Sequence, residues 1–204
     1  MSGVTRRPLP GQTAGVTEDV AARKEAIRHE ILAARARRSQ EALTRTGAAL
    51  AEQAALRWRE LRTVAAYLSF GSEPPTGPSI EGWLDDGVRV LLPVIDGADL
   101  DWAVCTALDE VEPGPLGISE PSGRRLGASA VQQADLVVVP ALAVDRSGRR
   151  LGRGRGYYDR ALREVSAPVA AVVFDDEVLD ELPDHPHDRR VDLALRPSGV
   201  IDLR

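Results

Sequence analysis

The 204-residue chain sets 26 Lys plus Arg against 31 Asp plus Glu, a formal net charge of −5, which argues against a general nucleic-acid binder because such domains are basic. Its length suits one good-sized core, and its apolar runs are strand-sized, too short for a membrane span. A single cysteine, Cys105, excludes an intramolecular disulfide and a cysteine-based zinc site, and makes a reducing cytoplasm the simplest compartment.

Residues 1–20 are rich in Gly, Pro and Thr without apolar periodicity and are expected to be a mobile lead-in to one domain over 21–204. Two arginines within Met1–Pro10 are not followed by an apolar stretch, so no secretory signal is expected there. Residues 19–37 predict a helix with Ile27, Ile31 and Ala34 on one stripe. At 100° per residue Lys24, Arg28 and Arg35 fall within about 40° of one another beside that stripe, which by spacing alone is a solvated basic face. Lys24 is the only lysine in the chain.

A second helix is expected over 46–59, then a strand over 63–70 and a turn from Gly71 to Thr76. A short helix over 79–85 stops at Gly87, and strands are expected over 88–94 and 100–105, followed by a Pro/Gly-rich loop over 113–123. An apolar strand over 135–144, a helix over 157–165 and strands over 168–174 and 191–195 complete the series. Apolar strands alternating with helices predict an α/β fold: a single three-layer αβα domain with a mostly parallel central sheet. In such folds ligands bind at the carboxyl ends of strands. Trp58, Trp83 and Trp102 read as packing residues, Cys105 as a small buried apolar side chain, and His29, His185 and His187 lack metal-ligand spacing.

The segment 145–160, DRSGRRLGRGRGYYDR, carries the chemistry. Gly152, Gly154 and Gly156 at alternate positions allow tight turns that aim several N–H groups at one point. A helix beginning near Tyr157 adds free N-terminal N–H groups, and Arg150, Arg153 and Arg155 can bond phosphate oxygens in bidentate fashion. Asp159, in the first turn, is a candidate ligand for Mg²⁺ beside bound phosphates. The loop is neither a Walker A motif nor a GxGxxG fingerprint. A bare GRGRG also suits a flexible RNA-binding segment, but those sit in low-complexity sequence, whereas a strand precedes this loop and a helix follows it.

The run Pro140–Leu162 resembles the signature of the 5-formyltetrahydrofolate cyclo-ligase (methenyltetrahydrofolate synthetase) family. The likeness continues in order through Lys24, Arg28, Arg35 and Ser39; Tyr67, Leu68 and Ser69 with Glu73 and Thr76; Gly87 to Pro93; Gly117 to Pro121; and Leu182-Pro183, His187-Asp188 and Val191-Asp192. Departures are Ala141 for glycine, Val144 for phenylalanine, Arg155 for lysine, Pro74 after the acidic residue, and Glu177 where glutamine is common.

The resemblance implies ATP- and Mg²⁺-dependent closure of 5-formyltetrahydrofolate to 5,10-methenyltetrahydrofolate by phosphorylation of the formyl oxygen and attack by N10. It turns the basic stripe into an ATP-phosphate clamp. ATP is then expected on Lys24, Arg28, Arg150, Leu151, Gly152, Arg153, Gly154, Arg155, Gly156, Tyr157 and Tyr158, with Lys24, Arg153, Arg155 and Tyr157 acting in catalysis. Leu68, Glu73 and residues Arg153 to Tyr157 are expected on the folate, and Asp159 and Asp188 on Mg²⁺. The implied partners are reduced folate and ATP, with no nucleic acid or membrane, in a cytoplasmic monomer or weak homodimer. A folate- or nucleotide-binding relative without turnover, another ATP-dependent enzyme on the same scaffold, and an RNA binder are the alternatives.

Overall fold

A computed structural model describes residues 12–183 and 189–203, with side chains from Asp19 onward. Helix α1 (Gln12–Arg35) begins earlier than the sequence pattern suggests, so the helical part of the lead-in belongs to the first helix. Helix α2 (Gln40–Arg57) starts six residues before the expected boundary because Ser39 caps it, its hydroxyl accepting from the Ala42 N–H. The strands and remaining helices follow as β1 (Thr63–Ala65), α3 (Gly77–Asp85), β2 (Arg89–Asp96) and β3 (Asp99–Cys105). Next come β4 (Val111–Pro113), β5 (Ser119–Pro121), β6 (Leu136–Pro140), β7 (Ala143–Asp145) and β8 (Arg150–Leu151). Helix α4 (Tyr157–Ala161), β9 (Val169–Val172), β10 (Val178–Leu179), β11 (Leu193–Arg196) and β12 (Gly199–Asp202) complete the chain.

The main sheet has seven strands in the order β12-β11-β9-β6-β1-β2-β3. Its five inner strands run parallel, and β12 and β3 close the edges antiparallel. Side-chain alternation decides the layers. Val137 and Val139 of β6 enter a core with Trp102, Leu162 and Val165, while Leu136 and Val138 face a second core with Leu50 of α2 and Ile80 and Trp83 of α3. Both faces being covered explains why the central strands read as unbroken apolar runs.

The expected strand over 135–144 is in fact two. Pro140, which has no N–H to extend a ladder, is the last residue of β6 paired with β9, and the chain then leaves the main sheet. β7 joins a small sheet in the order β10-β7-β8, roofed by Ile27, Ile31 and Leu32 of α1. The Pro/Gly-rich segment forms the β4–β5 hairpin rather than a plain loop.

Candidate active site

Five chain segments converge at the carboxyl ends of β1 and β6 around a cleft of about 540 Å³. Its lining includes Lys24 and Arg28 from α1, Phe70 and Glu73 after β1, Leu116 and Ile118 from the β4–β5 hairpin, Pro140 to Leu142, and the whole run Arg150 to Asp159.

The segment after β1 is shaped by two short side chains. The Ser69 N–H donates to Thr76 Oγ1 at 2.9 Å, and the Thr76 N–H donates back to Ser69 Oγ at 3.1 Å. Thr76 Oγ1 also donates to the Tyr67 carbonyl at 2.7 Å. This ring of bonds closes the turn and delivers Glu73 to the cleft, where its residue remains only 5% exposed. Burial raises the Glu73 carboxyl above its ordinary range, only partly offset by the Phe70 N–H and the Arg153 guanidinium. Arg153 Nε donates to Glu73 Oε1 at 3.2 Å while its guanidinium sits 4.8 Å over the Phe70 ring. The sequence reading did not single out Phe70; only its place beside the acidic turn hinted at a role.

The glycine-arginine loop is anchored from its base. Asp145, buried at the end of β7, accepts from the Ser147 N–H and hydroxyl, the Arg149 N–H, the Leu182 N–H and Arg149 Nη1. Burial pushes its carboxyl up, but these donors together hold it below the usual range. Arg28 Nε donates to the Gly152 carbonyl at 2.9 Å, so one cation of α1 rests on the loop itself. Gly154 and Gly156 adopt φ of +90° and +71°, conformations that side-chain-bearing residues rarely take. Helix α4 has five residues rather than the expected nine, and plain turns follow it. The loop amides therefore matter more than a helix macrodipole.

Not every predicted site residue lies where the sequence suggests. Arg35 is not part of the phosphate clamp. It is 1% exposed and forms a two-pronged ion pair with Glu177 (Nε to Oε1 and Nη2 to Oε2, both 2.7 Å). Its Nη2 also donates to the Ala141 carbonyl at 2.7 Å, beneath the cleft floor. That pair supplies the role of Glu177. Ser39 is a helix cap. Leu68 does not line the cleft and packs against the core beneath α2 and α3. Arg150 does line it, but its guanidinium bonds Asp159 Oδ1 at 2.6 Å, so the two predicted ligands hold each other. Asp188, with His185 and His187, lies outside the described residues. Tyr158 lines the cleft half-buried, its ring packed against the core, and desolvation raises its hydroxyl well above the ordinary range. Trp83 and Trp102 are buried as expected.

Among the described residues no cluster of three or more His, Cys, Asp or Glu could hold a metal ion, and no helix is long and apolar enough to cross a membrane. The carboxylate of Asp159, beside the glycine-arginine loop in this cleft, is nonetheless the kind of donor Mg²⁺ uses, since that ion takes most of its ligands from substrate phosphates and water.

Comparison with known proteins shows the family. The family model described as 5-formyltetrahydrofolate cyclo-ligase family matches residues 20–197. The 5-formyltetrahydrofolate cyclo-ligase of Mycolicibacterium smegmatis is 44% identical over 151 residues, covering 70% of this chain and 78% of that protein. The Escherichia coli K12 protein of the same name is 32% identical over 145 residues, covering 68% and 79%. The NMR structure of Aquifex aeolicus 5,10-methenyltetrahydrofolate synthetase superposes with a TM-score of 0.77 at 27% identity, covering 89% of this chain and 93% of that one. A loop of glycines and arginines, two cations on α1 and a buried acid thus share one cleft on the scaffold of those enzymes, and the chain belongs to the 5-formyltetrahydrofolate cyclo-ligase family.

Proposed function

We propose that this chain closes 5-formyltetrahydrofolate to 5,10-methenyltetrahydrofolate at the expense of ATP in the cleft between Glu73 and the glycine-arginine loop. The observation that carries this reading is the shared lining: Lys24, Arg28, Glu73 and Arg150 to Asp159 face one space.

The chemical obstacle is the formyl oxygen, an amide oxygen that leaves poorly as hydroxide. Transfer of the γ-phosphoryl group to that oxygen, with loss of ADP, makes it a good leaving group. N10 then attacks the formyl carbon and gives up its proton, and the carbon–oxygen bond breaks to release inorganic phosphate. This asks the protein for positioning and charge neutralisation rather than for a nucleophile. In our assignment Lys24, Arg28 and the amides of Gly152 to Tyr158 hold the phosphates. Arg155, exposed at the mouth, and Arg153 bracket the transferred group. Asp159 and Asp188 would hold Mg²⁺, which would add charge neutralisation at the phosphates. Glu73, Tyr157 and the apolar edge of Leu116 and Ile118 receive the folate. Because burial weakens ionisation of Glu73, its carboxyl is suited to accept a hydrogen bond, or a proton, from the N10 region. We propose that the enzyme works in the cytoplasm as a monomer or weak homodimer, without nucleic-acid or membrane partners.

The test mixes purified protein with 5-formyltetrahydrofolate and MgATP and follows the near-ultraviolet absorbance of the methenyl product. A rise that needs both ATP and Mg²⁺ is expected. No rise while ATP still binds by calorimetry would refute the folate assignment.

A further inference from the structure

Arg160 lies on α4 and is absent from the cleft lining, yet it is bonded to the back of the phosphate loop. Its Nε donates to Asp99 Oδ1 at 2.9 Å, and its Nη2 donates to the Ala98 carbonyl. Both Nη1 and Nη2 reach the Arg155 carbonyl at 3.4 Å. The guanidinium also stacks 5.4 Å over the Tyr157 ring, and the Tyr157 hydroxyl donates to the Gly97 carbonyl at 3.3 Å. A Cβ at Gly156 would stand 2.8 Å from Arg160 Nη1, so glycine is what lets the guanidinium come this close. The loop is thereby docked on the β2–β3 turn. That turn is tied in its own right to the β4–β5 hairpin, where the Ile95 N–H donates to Glu120 Oε1 at 2.8 Å.

We propose that Arg160 is a positioning residue for phosphoryl transfer that locks the orientation of the Arg155–Gly156 peptide. The carbonyl of Arg155 and the N–H of Gly156 belong to one planar trans unit and point in opposite directions. Holding the carbonyl back on Arg160 therefore aims the Gly156 N–H forward, as a donor for a phosphate oxygen. Gly154 and Gly156 both have positive φ, and glycines rotate through either sign of φ at little cost. Without Arg160 the peptide is free to turn over and present an oxygen to the anion instead of a proton. Global stability is not the purpose of this contact. The Arg160 and Asp99 side chains are 34% and 65% exposed, and exposed ion pairs contribute little to folding. The inference rests on the assignment of the loop to ATP.

The test compares the full-length protein with R160A, R160K and D99A. R160A is expected to raise the KM for ATP roughly tenfold, the worth of one misaimed hydrogen bond to a phosphate oxygen of bound ATP. Its melting temperature should stay within about 4 °C of the parent. Tryptic cleavage after Arg155, followed by mass spectrometry, should be faster in R160A. R160K keeps one point donor that cannot serve Asp99 and Arg155 together, and should fall between the parent and R160A. D99A, whose residue lies outside the cleft lining, should shift both readouts in the same direction, and R160A/D99A should be no worse than R160A. If R160A does not fold, D99A carries the test. A parental KM for ATP, or parental cleavage after Arg155, overturns the proposal. Absence of methenyl product from the parent enzyme would instead remove the functional reading, and the cleavage comparison would still decide whether Arg160 holds the loop.

Discussion

Replacing Arg35 with methionine separates two accounts of α1. If Arg35 held ATP, the variant would fold normally and bind nucleotide poorly. In the structure it instead leaves the Glu177 carboxylate, 2% exposed, with only the Phe174 N–H at 2.9 Å as a remaining partner among the described residues. Removing one member of a buried pair costs about 3–5 kcal/mol, because the surviving charge is left unsolvated. For a chain of this size that is roughly 10 °C in Tm. The Ala141 carbonyl also loses its donor, at about 1 kcal/mol. The double variant R35M/E177L removes both charges together and should lie within about 1 kcal/mol of the parent, since buried pairs barely repay their desolvation. Urea titration at constant m-value reads the difference directly. A single variant as stable as the parent, or a double variant whose loss equals the sum of the two single losses, would refute the reasoning.

K24A and R155A should each raise the KM for ATP by roughly ten- to a hundredfold, the worth of one charge-assisted bond, with unchanged melting; steady-state kinetics and a thermal melt check both. E73Q should weaken folate binding more than ATP binding in calorimetry. It should also stabilise the protein at neutral pH but not in acid. The raised carboxyl keeps its proton in the fold where the unfolded chain has lost it, so the native state loses stability as pH rises through that window. D145A strips five donors of their common acceptor and should cost about 3 kcal/mol in denaturant unfolding. Because the Asp145 carboxyl sits below its ordinary range, its stabilisation should fade as pH drops through that range in the parent and be missing from D145A.

Much of this arrangement was legible in the residue order. The layers follow from alternation of apolar strands and helices, and the loop follows from Gly152, Gly154 and Gly156 set between a strand and a helix. What escaped was long-range pairing. A helical wheel puts Arg35 beside Lys24 and Arg28, but Glu177 lies 142 residues away and draws that guanidinium into the core. The Arg150–Asp159 pair escaped similarly, because both residues were read as ligands for something else. Pro140 signalled the break between β6 and β7, yet the apolar run on either side concealed it. The terminal β11–β12 hairpin was missed although Pro197, Ser198 and Gly199 form a turn-like cluster. Leu68 was placed on the folate by motif position, whereas its side chain follows the α2–α3 core.

The central claim, that the formyl oxygen is phosphorylated before N10 closes the ring, is tested most directly by following that atom. 5-Formyltetrahydrofolate labelled with ¹⁸O in the formyl group is converted with MgATP, and the released inorganic phosphate is analysed by mass spectrometry. The account predicts one labelled oxygen in each phosphate and methenyl product in equal amount. Unlabelled phosphate, with the label in water, would contradict it.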